Sequence, residues 1–147
     1  MKTTKFNFLS KNILLGTLVA LLLLSFTSCA KKITFQTSTV VPAARGQVTV
    51  NKDNNKNYVV KIKIDDLAEV SRLEPSRNAY VVWMETDESQ VKNIGRIKSD
   101  TKFMSSKLKA DFETVTAFKP VKIFITAEDN ADAQYPGSQL VLETNRF

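Results

Sequence analysis

The chain has 147 residues, a formal net charge of +6 at pH 7, one cysteine and no histidine. This length fits one domain, and the lack of histidine removes the usual general base and the commonest metal ligand. A single cysteine allows neither an internal disulfide nor a Cys/His zinc cluster, and Ser-His-Asp and Cys-His catalysis are excluded. We therefore expect no enzyme, no metal site and no cofactor, with carboxylate or Ser-Lys chemistry as the remaining catalytic alternative.

The basic residues are spread along the chain rather than clustered. Most lysines alternate with acidic or amide residues, and few aromatic residues stand among them. This pattern indicates a solvated, mildly basic surface, so we expect no nucleic-acid partner.

The N-terminal segment has the features of an export signal. Residues 1–12 carry three lysines and no acidic residue, and an uninterrupted apolar run from Ile13 to Phe26 follows. As a helix this run would rise about 21 Å, which is short of the ~30 Å hydrocarbon core of a bilayer. A basic segment followed by such a run is typical of a signal peptide, and we predict one over residues 1–28.

The only cysteine, Cys29, ends the sequence FTSC. This sequence resembles the lipobox of bacterial lipoproteins, Leu-(Ala/Ser/Thr)-(Gly/Ala/Ser)-Cys, with Phe26 where leucine is usual. The resemblance implies that diacylglycerol is attached to the thiol of Cys29, that cleavage precedes this residue, and that the new amine receives a fatty acid such as palmitate. Cleavage after Ala30 by ordinary signal peptidase is the alternative that Ser28 and Ala30 leave open.

An anchor of two or three acyl chains would hold the protein at a membrane permanently, since each buried CH₂ contributes about 0.8 kcal/mol. Ala30 follows the cysteine where the inner-membrane retention signal of this family has Asp, and no acidic residue accompanies Lys31 and Lys32. The resemblance thus implies an outer-membrane lipoprotein on the periplasmic face. We predict the lipidated cysteine and a tether or first strand over residues 29–45, and the folded domain over 46–147.

Alternating side chains predict most of the folded domain. Two such runs surround the polar turn NKDNN and predict a hairpin, with Val48 and Val50 before the turn and Tyr58, Val60, Ile62 and Ile64 after it. Residues 67–78 favour a loop with at most one helical turn. The segment AYVVWMET is apolar on both faces, which predicts a buried central strand containing Trp83.

Further strands are predicted in QVKNIGRIK, bent at Gly95, in SKLKADFETV, in KPVKIFITAED, and at Leu140 to Glu143 after a turn at Pro136. Short strands about ten residues apart, with no long helix, predict an Ig-like antiparallel β-sandwich of about seven strands.

The features from Leu73 onward resemble the extracytoplasmic C-terminal domain of RskA-type anti-sigma factors. The resemblance lies in LEPSRNAYVVWMET, NIGRI and VKIFITAED followed by YPGSQLVLE. It implies an Ig-like sandwich outside the cytoplasm with a sensing or partner-binding role. Members of that family also carry a cytoplasmic sigma-binding domain and a transmembrane helix, whereas twelve residues precede the apolar run here, so we do not expect sigma-factor sequestration.

Three groups of polar residues are candidate sites. The first contains the acids Glu85, Asp87 and Glu88 with Glu128, Asp129 and Asp132, which we expect to be solvated; a weak Ca²⁺ site between converging loops is the alternative. The second is NKDNNKN, expected to be a turn rather than a glycan site. The third is Lys61, Lys63, Lys107 and Lys109, expected to protect strand edges rather than to contact lipid head groups or acidic glycans.

Together these features predict a lipid-anchored, non-catalytic β-sandwich of the cell envelope that binds an envelope protein or polymer, attached through Cys29. A structural or assembly accessory of an envelope complex is the first alternative, and an enzyme that uses carboxylates is the second. The sequence points to no particular binding residues.

Overall fold

A computed structural model describes residues 31–97 and 109–147, and within these ranges the chain is all-β apart from one 3₁₀ turn at Val70–Arg72. The eight strands in chain order are β1 Lys31–Thr34, β2 Arg45–Lys52, β3 Tyr58–Asp65, β4 Ala79–Thr86, β5 Val91–Ile97, β6 Lys109–Thr116, β7 Pro120–Glu128 and β8 Leu140–Glu143. No helix in the described ranges has the length and hydropathy that crossing a membrane requires.

The strands form two four-stranded sheets in which every neighbouring pair is antiparallel. Sheet I has the order β1-β2-β3-β6, and sheet II has the order β5-β4-β7-β8. The prediction of an antiparallel β-sandwich is confirmed. It has eight strands where about seven were predicted, because the short segment starting at Lys31 pairs with β2.

The hydrophobic core lies between the sheets and contains every second residue of the long strands. Val48, Val60, Ile62 and Ile64 of sheet I are almost fully buried, as their alternation predicted. Sheet II contributes the inward side chains of β4 and β7, which are Tyr80, Val82, Met84, Ile123, Ile125 and Ala127. Each large apolar side chain buried in this way contributes about 1.5–3 kcal/mol to stability.

The two ends of the sandwich hold different parts of the chain. At the end we call proximal, β1 begins, and Phe147 N–H donates to the carbonyl oxygen of Val121 near the start of β7. Three turns share this end, and they are residues 53–57, 87–90 and 117–119. The opposite end, which we call distal, holds residues 35–44, 66–78 and 129–139.

The sheets approach each other along both edges. On one edge Phe35, just after β1, forms an isolated bridge with Thr144, just after β8. On the other edge Gly95 of β5 faces Phe112 of β6, and a Cβ atom on Gly95 would lie 2.9 Å from Cε2 of Phe112. Gly95 also has φ of +135°, a backbone conformation that is strained for a residue with a side chain. Glycine at the predicted bend therefore allows both this backbone angle and the close approach of Phe112.

Residues 66–78 cross from sheet I to sheet II at the distal end. The hydroxyl of Tyr80 donates to the carbonyl oxygen of Ala68 at 2.9 Å and so ties this loop to β4. Burial raises the pKa of Tyr80 from 10.0 to about 12, because the low-dielectric surroundings disfavour the phenolate.

Candidate binding surface

The predicted signal peptide over residues 1–28 lies outside the described ranges, and so do the predicted lipidation site Cys29, with Ala30 after it, and Lys107 of the lysine group. The strand that follows Cys29 is described from Lys31 onward, and Ile33 of this strand packs in the core. The sandwich therefore begins two residues after the predicted lipidation site.

The two groups of acids do not converge, so the structure contradicts the idea of a cation site shared by them. Antiparallel pairing places Thr86 opposite Pro120 and Ala79 opposite Glu128, so the groups lie about 25 Å apart at opposite ends of the strands. Within the described ranges, no three His, Cys, Asp or Glu side chains come together in an arrangement that could hold a metal ion.

Several of these acids are instead engaged separately, and the prediction that all of them are solvated is wrong for Glu128, which is buried beside Thr126 and Gly137. In the proximal group, Glu85 pairs with Arg146 at 2.8 Å and Asp87 pairs with Lys119 at 3.8 Å. In the distal group, Asp129 pairs with Arg77 at 2.7 Å.

The NKDNNKN segment forms the predicted hairpin turn. Asp53 Oδ1 accepts hydrogen bonds from the backbone N–H groups of Asn55 and Asn57, both at 2.8 Å. The residue with positive φ is Lys56, at 65°, rather than one of the asparagines. The polar side chains of Asp53 and Asn57 thus serve the turn itself.

The lysines of sheet I belong to a charged outer face. Lys61 forms a salt bridge with Glu113 at 3.0 Å, and Lys63 stands opposite Asp111. Lys61 and Lys63 lie on β3, an interior strand, so their predicted role in protecting a sheet edge is wrong for these two residues. Lys109 does lie on an edge strand, β6.

The outer face of sheet II is unusual because it is buried near its centre. Val81 and Trp83 point away from the core cluster between the sheets, yet neither is exposed to solvent. Residues 129–139, the β7–β8 loop, fold back over this face. Sequence reasoning predicted the burial of Trp83 but assigned it to the core between the layers.

A chain of buried hydrogen bonds joins Trp83 to the β7–β8 loop. Trp83 Nε1 donates to Thr126 Oγ1 at 2.7 Å, and the Thr126 hydroxyl donates to Oε1 of Glu128. The same oxygen accepts the backbone N–H of Gly137 at 2.7 Å. A Cβ atom at position 137 would lie 2.6 Å from Oε2 of Glu128, so only glycine lets the carboxyl group approach the loop backbone this closely.

Two further contacts hold the β7–β8 loop in place. The amide Nδ2 of Asn93 on β5 donates to the carbonyl oxygens of Ala131 and Ala133, both at 3.0 Å. Arg77 Nε donates to Oε1 of Gln139 at 3.0 Å at the far end of the loop. The loop is therefore attached to the body of the domain near its start, its middle and its end.

The attached loop presents one large aromatic side chain to solvent. Tyr135 is 84% exposed, the highest value for a large hydrophobic side chain in the described part of the chain. Two open depressions of about 570 and 600 Å³ flank Asn93, and polar side chains including Arg96, Asn130 and Asp132 contribute to their walls. Sequence reasoning interpreted QYPGS only as a turn, although a tyrosine beside Pro-Gly in a polar loop was the available signal.

No family model, curated protein or solved structure matches this chain. The resemblances to the lipobox and to the RskA-type extracytoplasmic domain stay predictions.

Proposed function

We propose that this protein is a lipid-anchored, non-catalytic domain of the bacterial cell envelope that binds an envelope protein or polymer through its β7–β8 loop. The anchor is the acylated Cys29, and the proposed location is the periplasmic face of the outer membrane. The observation that carries the binding role is Tyr135, an exposed aromatic side chain on a loop that hydrogen bonds attach to Glu128 and Asn93.

Fixed loops with exposed aromatic side chains suit recognition for two physical reasons. Tyrosine supplies a large contact area at a low cost in conformational entropy, and it is enriched among the residues that dominate binding energy. A loop already held in one conformation loses little further entropy when its partner binds. Gln134, next to Tyr135 in the chain, lines one of the polar depressions beside Asn93, so hydrogen-bonding groups are present near this aromatic contact.

The arrangement of the strands supports separate positions for membrane anchoring and for partner binding. The β7–β8 loop leaves from the distal end, while β1 begins with Lys31 at the proximal end. Strand β7 has nine residues, so about 25–30 Å separates these ends. The loop returns over the outer face of sheet II as far as Asn93. An anchor at the proximal end thus leaves this face, with the loop on it, accessible to a partner.

The anchoring part of the proposal is tested by mass spectrometry of the protein purified from cell envelopes. We expect the mature chain to begin at Cys29 with a mass increase for diacylglycerol and a third acyl chain. Cys29→Ala should move the protein from the membrane fraction to the soluble fraction. An unmodified chain that begins downstream of Cys29, or a Cys29→Ala variant that stays with membranes, would refute lipid anchoring.

The binding part is tested with a photo-crosslinking amino acid placed at position 135 in intact cells. We expect a discrete crosslinked product from this position and none from position 111, an exposed control site on the outer face of sheet I. Tyr135→Ala should weaken binding of the purified partner about tenfold or more without lowering the melting temperature. Equal crosslinking from both positions would contradict a specific role for the loop.

A structural or assembly accessory is the second candidate, and the same experiment separates it from the first. Val91, Val115 and Phe118 are exposed at the proximal end and provide a second surface through which the domain could be assembled with another protein. If position 135 yields no product while proximal positions crosslink to a protein, the accessory role is favoured.

A further inference from the structure

The entry point of the chain constrains how the domain can sit on a bilayer. Residue 29 and residue 31 are two residues apart, which an extended chain spans in about 7 Å. Lys31 is already paired with Val50 at the proximal end of sheet I. If acyl chains are attached to Cys29, the proximal end of β1 must lie within about 7 Å of the acylated residue and therefore close to the lipid head groups.

The proximal end carries most of the exposed apolar side chains that the structure describes. Five large hydrophobic residues are more than a third exposed in the described ranges, and three of them are Val91, Val115 and Phe118. Val91 begins β5, Val115 is next to the end of β6, and Phe118 lies in the β6–β7 turn. Val115 and Phe118 are 57% and 44% exposed, so this end has apolar side-chain surface that the rest of the described domain does not cover.

Several lysines share the proximal end with these apolar residues. Lys31, Lys52, Lys56 and Lys92 lie at or near the proximal end, and none of them forms a salt bridge with another described residue. The ammonium group of Lys92 lies 4.1 Å from the ring centre of Phe118. This pairing of an exposed aromatic ring with ammonium groups suits the interface between lipid head groups and acyl chains.

The lysines of sheet I provide an internal comparison. On that outer face Lys61 and Lys109 are paired with Glu113 and Asp65. Two acids of the proximal end are engaged elsewhere and do not neutralise these lysines. Asp53 accepts hydrogen bonds within its turn, and Asp87 pairs with Lys119. Among the described lysines, those without salt bridges are therefore concentrated near the start of β1, and Lys63 on the outer face of sheet I is the exception.

We propose that the proximal end is a membrane-contact surface, in which Val115 and Phe118 contact the head-group region of the bilayer and Lys52 and Lys56 contact anionic phospholipids. This inference rests on the proposed lipid anchor and adds a fixed orientation to it. The domain then stands on the bilayer with its strands directed away from the membrane, and the β7–β8 loop lies over the outer face of sheet II, beside the contact surface rather than within it.

The orientation can be measured with the lipidated protein reconstituted into vesicles of phosphatidylethanolamine and phosphatidylglycerol. Single cysteines at position 118 or 135 receive an environment-sensitive fluorophore, while Cys29 is blocked by its own lipid. Nitroxide groups on the lipid head groups then quench fluorophores that touch the bilayer. We expect quenching at position 118 to exceed that at position 135 severalfold, and Ala117→Cys serves if Phe118→Cys does not fold.

Charge reversal tests the lysines with a matched control. Lys52→Glu with Lys56→Glu should reduce quenching at position 118. Lys63→Glu with Lys109→Glu changes the net charge equally on the outer face of sheet I, and this variant should leave the quenching unchanged. Equal effects of the two double variants would show that net charge alone is responsible and would overturn the proposed contact with Lys52 and Lys56.

The outcomes separate this inference from the anchoring proposal. Protein that floats with the vesicles but shows equal quenching at positions 118 and 135 refutes the fixed orientation and leaves the lipid anchor standing. Protein that does not float with the vesicles refutes the anchor, and the membrane-contact surface is refuted with it.

Discussion

Replacing Thr126 with valine tests the buried hydrogen bonds beneath the β7–β8 loop. Valine has nearly the same shape as threonine and keeps the packing, but it lacks the hydroxyl group. That group accepts the indole N–H of Trp83 and donates to Glu128, and Thr126 is 1% exposed. Solvent therefore has no ready access to replace either hydrogen bond after the substitution.

The expected cost follows from the two groups that lose their partner. A buried donor left without an acceptor costs about 1–3 kcal/mol, and a hydrogen bond to a carboxylate contributes about 1.5–3 kcal/mol. The two losses share one hydroxyl and are not fully additive, so we expect Thr126→Val to lower the free energy of unfolding by about 3 kcal/mol. For a domain of this size that corresponds to a melting temperature lower by about 12 °C.

Urea unfolding monitored by the fluorescence of Trp83, the single tryptophan, provides the assay. The native wild-type spectrum should be blue-shifted because Trp83 is buried. Thr126→Ser is the matched control, since it keeps the hydroxyl and loses one methyl group at a cost of about 0.8 kcal/mol. If Thr126→Val is as stable as Thr126→Ser, the hydrogen bonds do not hold the loop as described.

Two further substitutions test the body of the sandwich. Because the pKa of Tyr80 is about 12 when folded and 10.0 in the reference state, the folded protein holds this proton more tightly, and stability should fall as pH rises from about 10 to 12. Tyr80→Phe should flatten that fall in urea titrations at these pH values, and curves of equal slope would contradict the effect of burial. Gly95→Ala should destabilise the domain by about 2 kcal/mol or more, because alanine is strained at φ of +135° and its Cβ would press on Phe112. A thermal melt like that of the wild type would show that β5 can bend without glycine.

Most strands could be predicted because their side chains alternate. Val60, Ile62 and Ile64 are separated by exposed lysines, and this period of two determines which side of β3 faces the core. The sequence pattern of β1 is weak, because KKIT contains one apolar residue, Ile33. The structure identifies this strand by its backbone pairing with β2. A short edge strand of this kind has little signal in its own side chains.

The candidate binding surface depended on contacts between distant parts of the chain. Thr126 and Glu128 alternate with Ile125 and Ala127 as outward residues of β7, and such a position usually meets solvent. They are buried because the β7–β8 loop returns over the sheet and is attached to Asn93, which lies about 40 residues earlier in the chain. Local patterns contain no information on that return.

The amino-acid sequence by itself determined the all-β class, the order of most strands and the inward side chains, because these follow from side-chain periodicity and from turn residues that act locally. The tertiary structure alone decided that the two groups of acids lie at opposite ends, that Trp83 is buried outside the core, and that the exposed apolar residues gather near the chain entry. Each of these depends on which strands become neighbours and in which direction they run, and that is a property of the packed sheets rather than of any single segment.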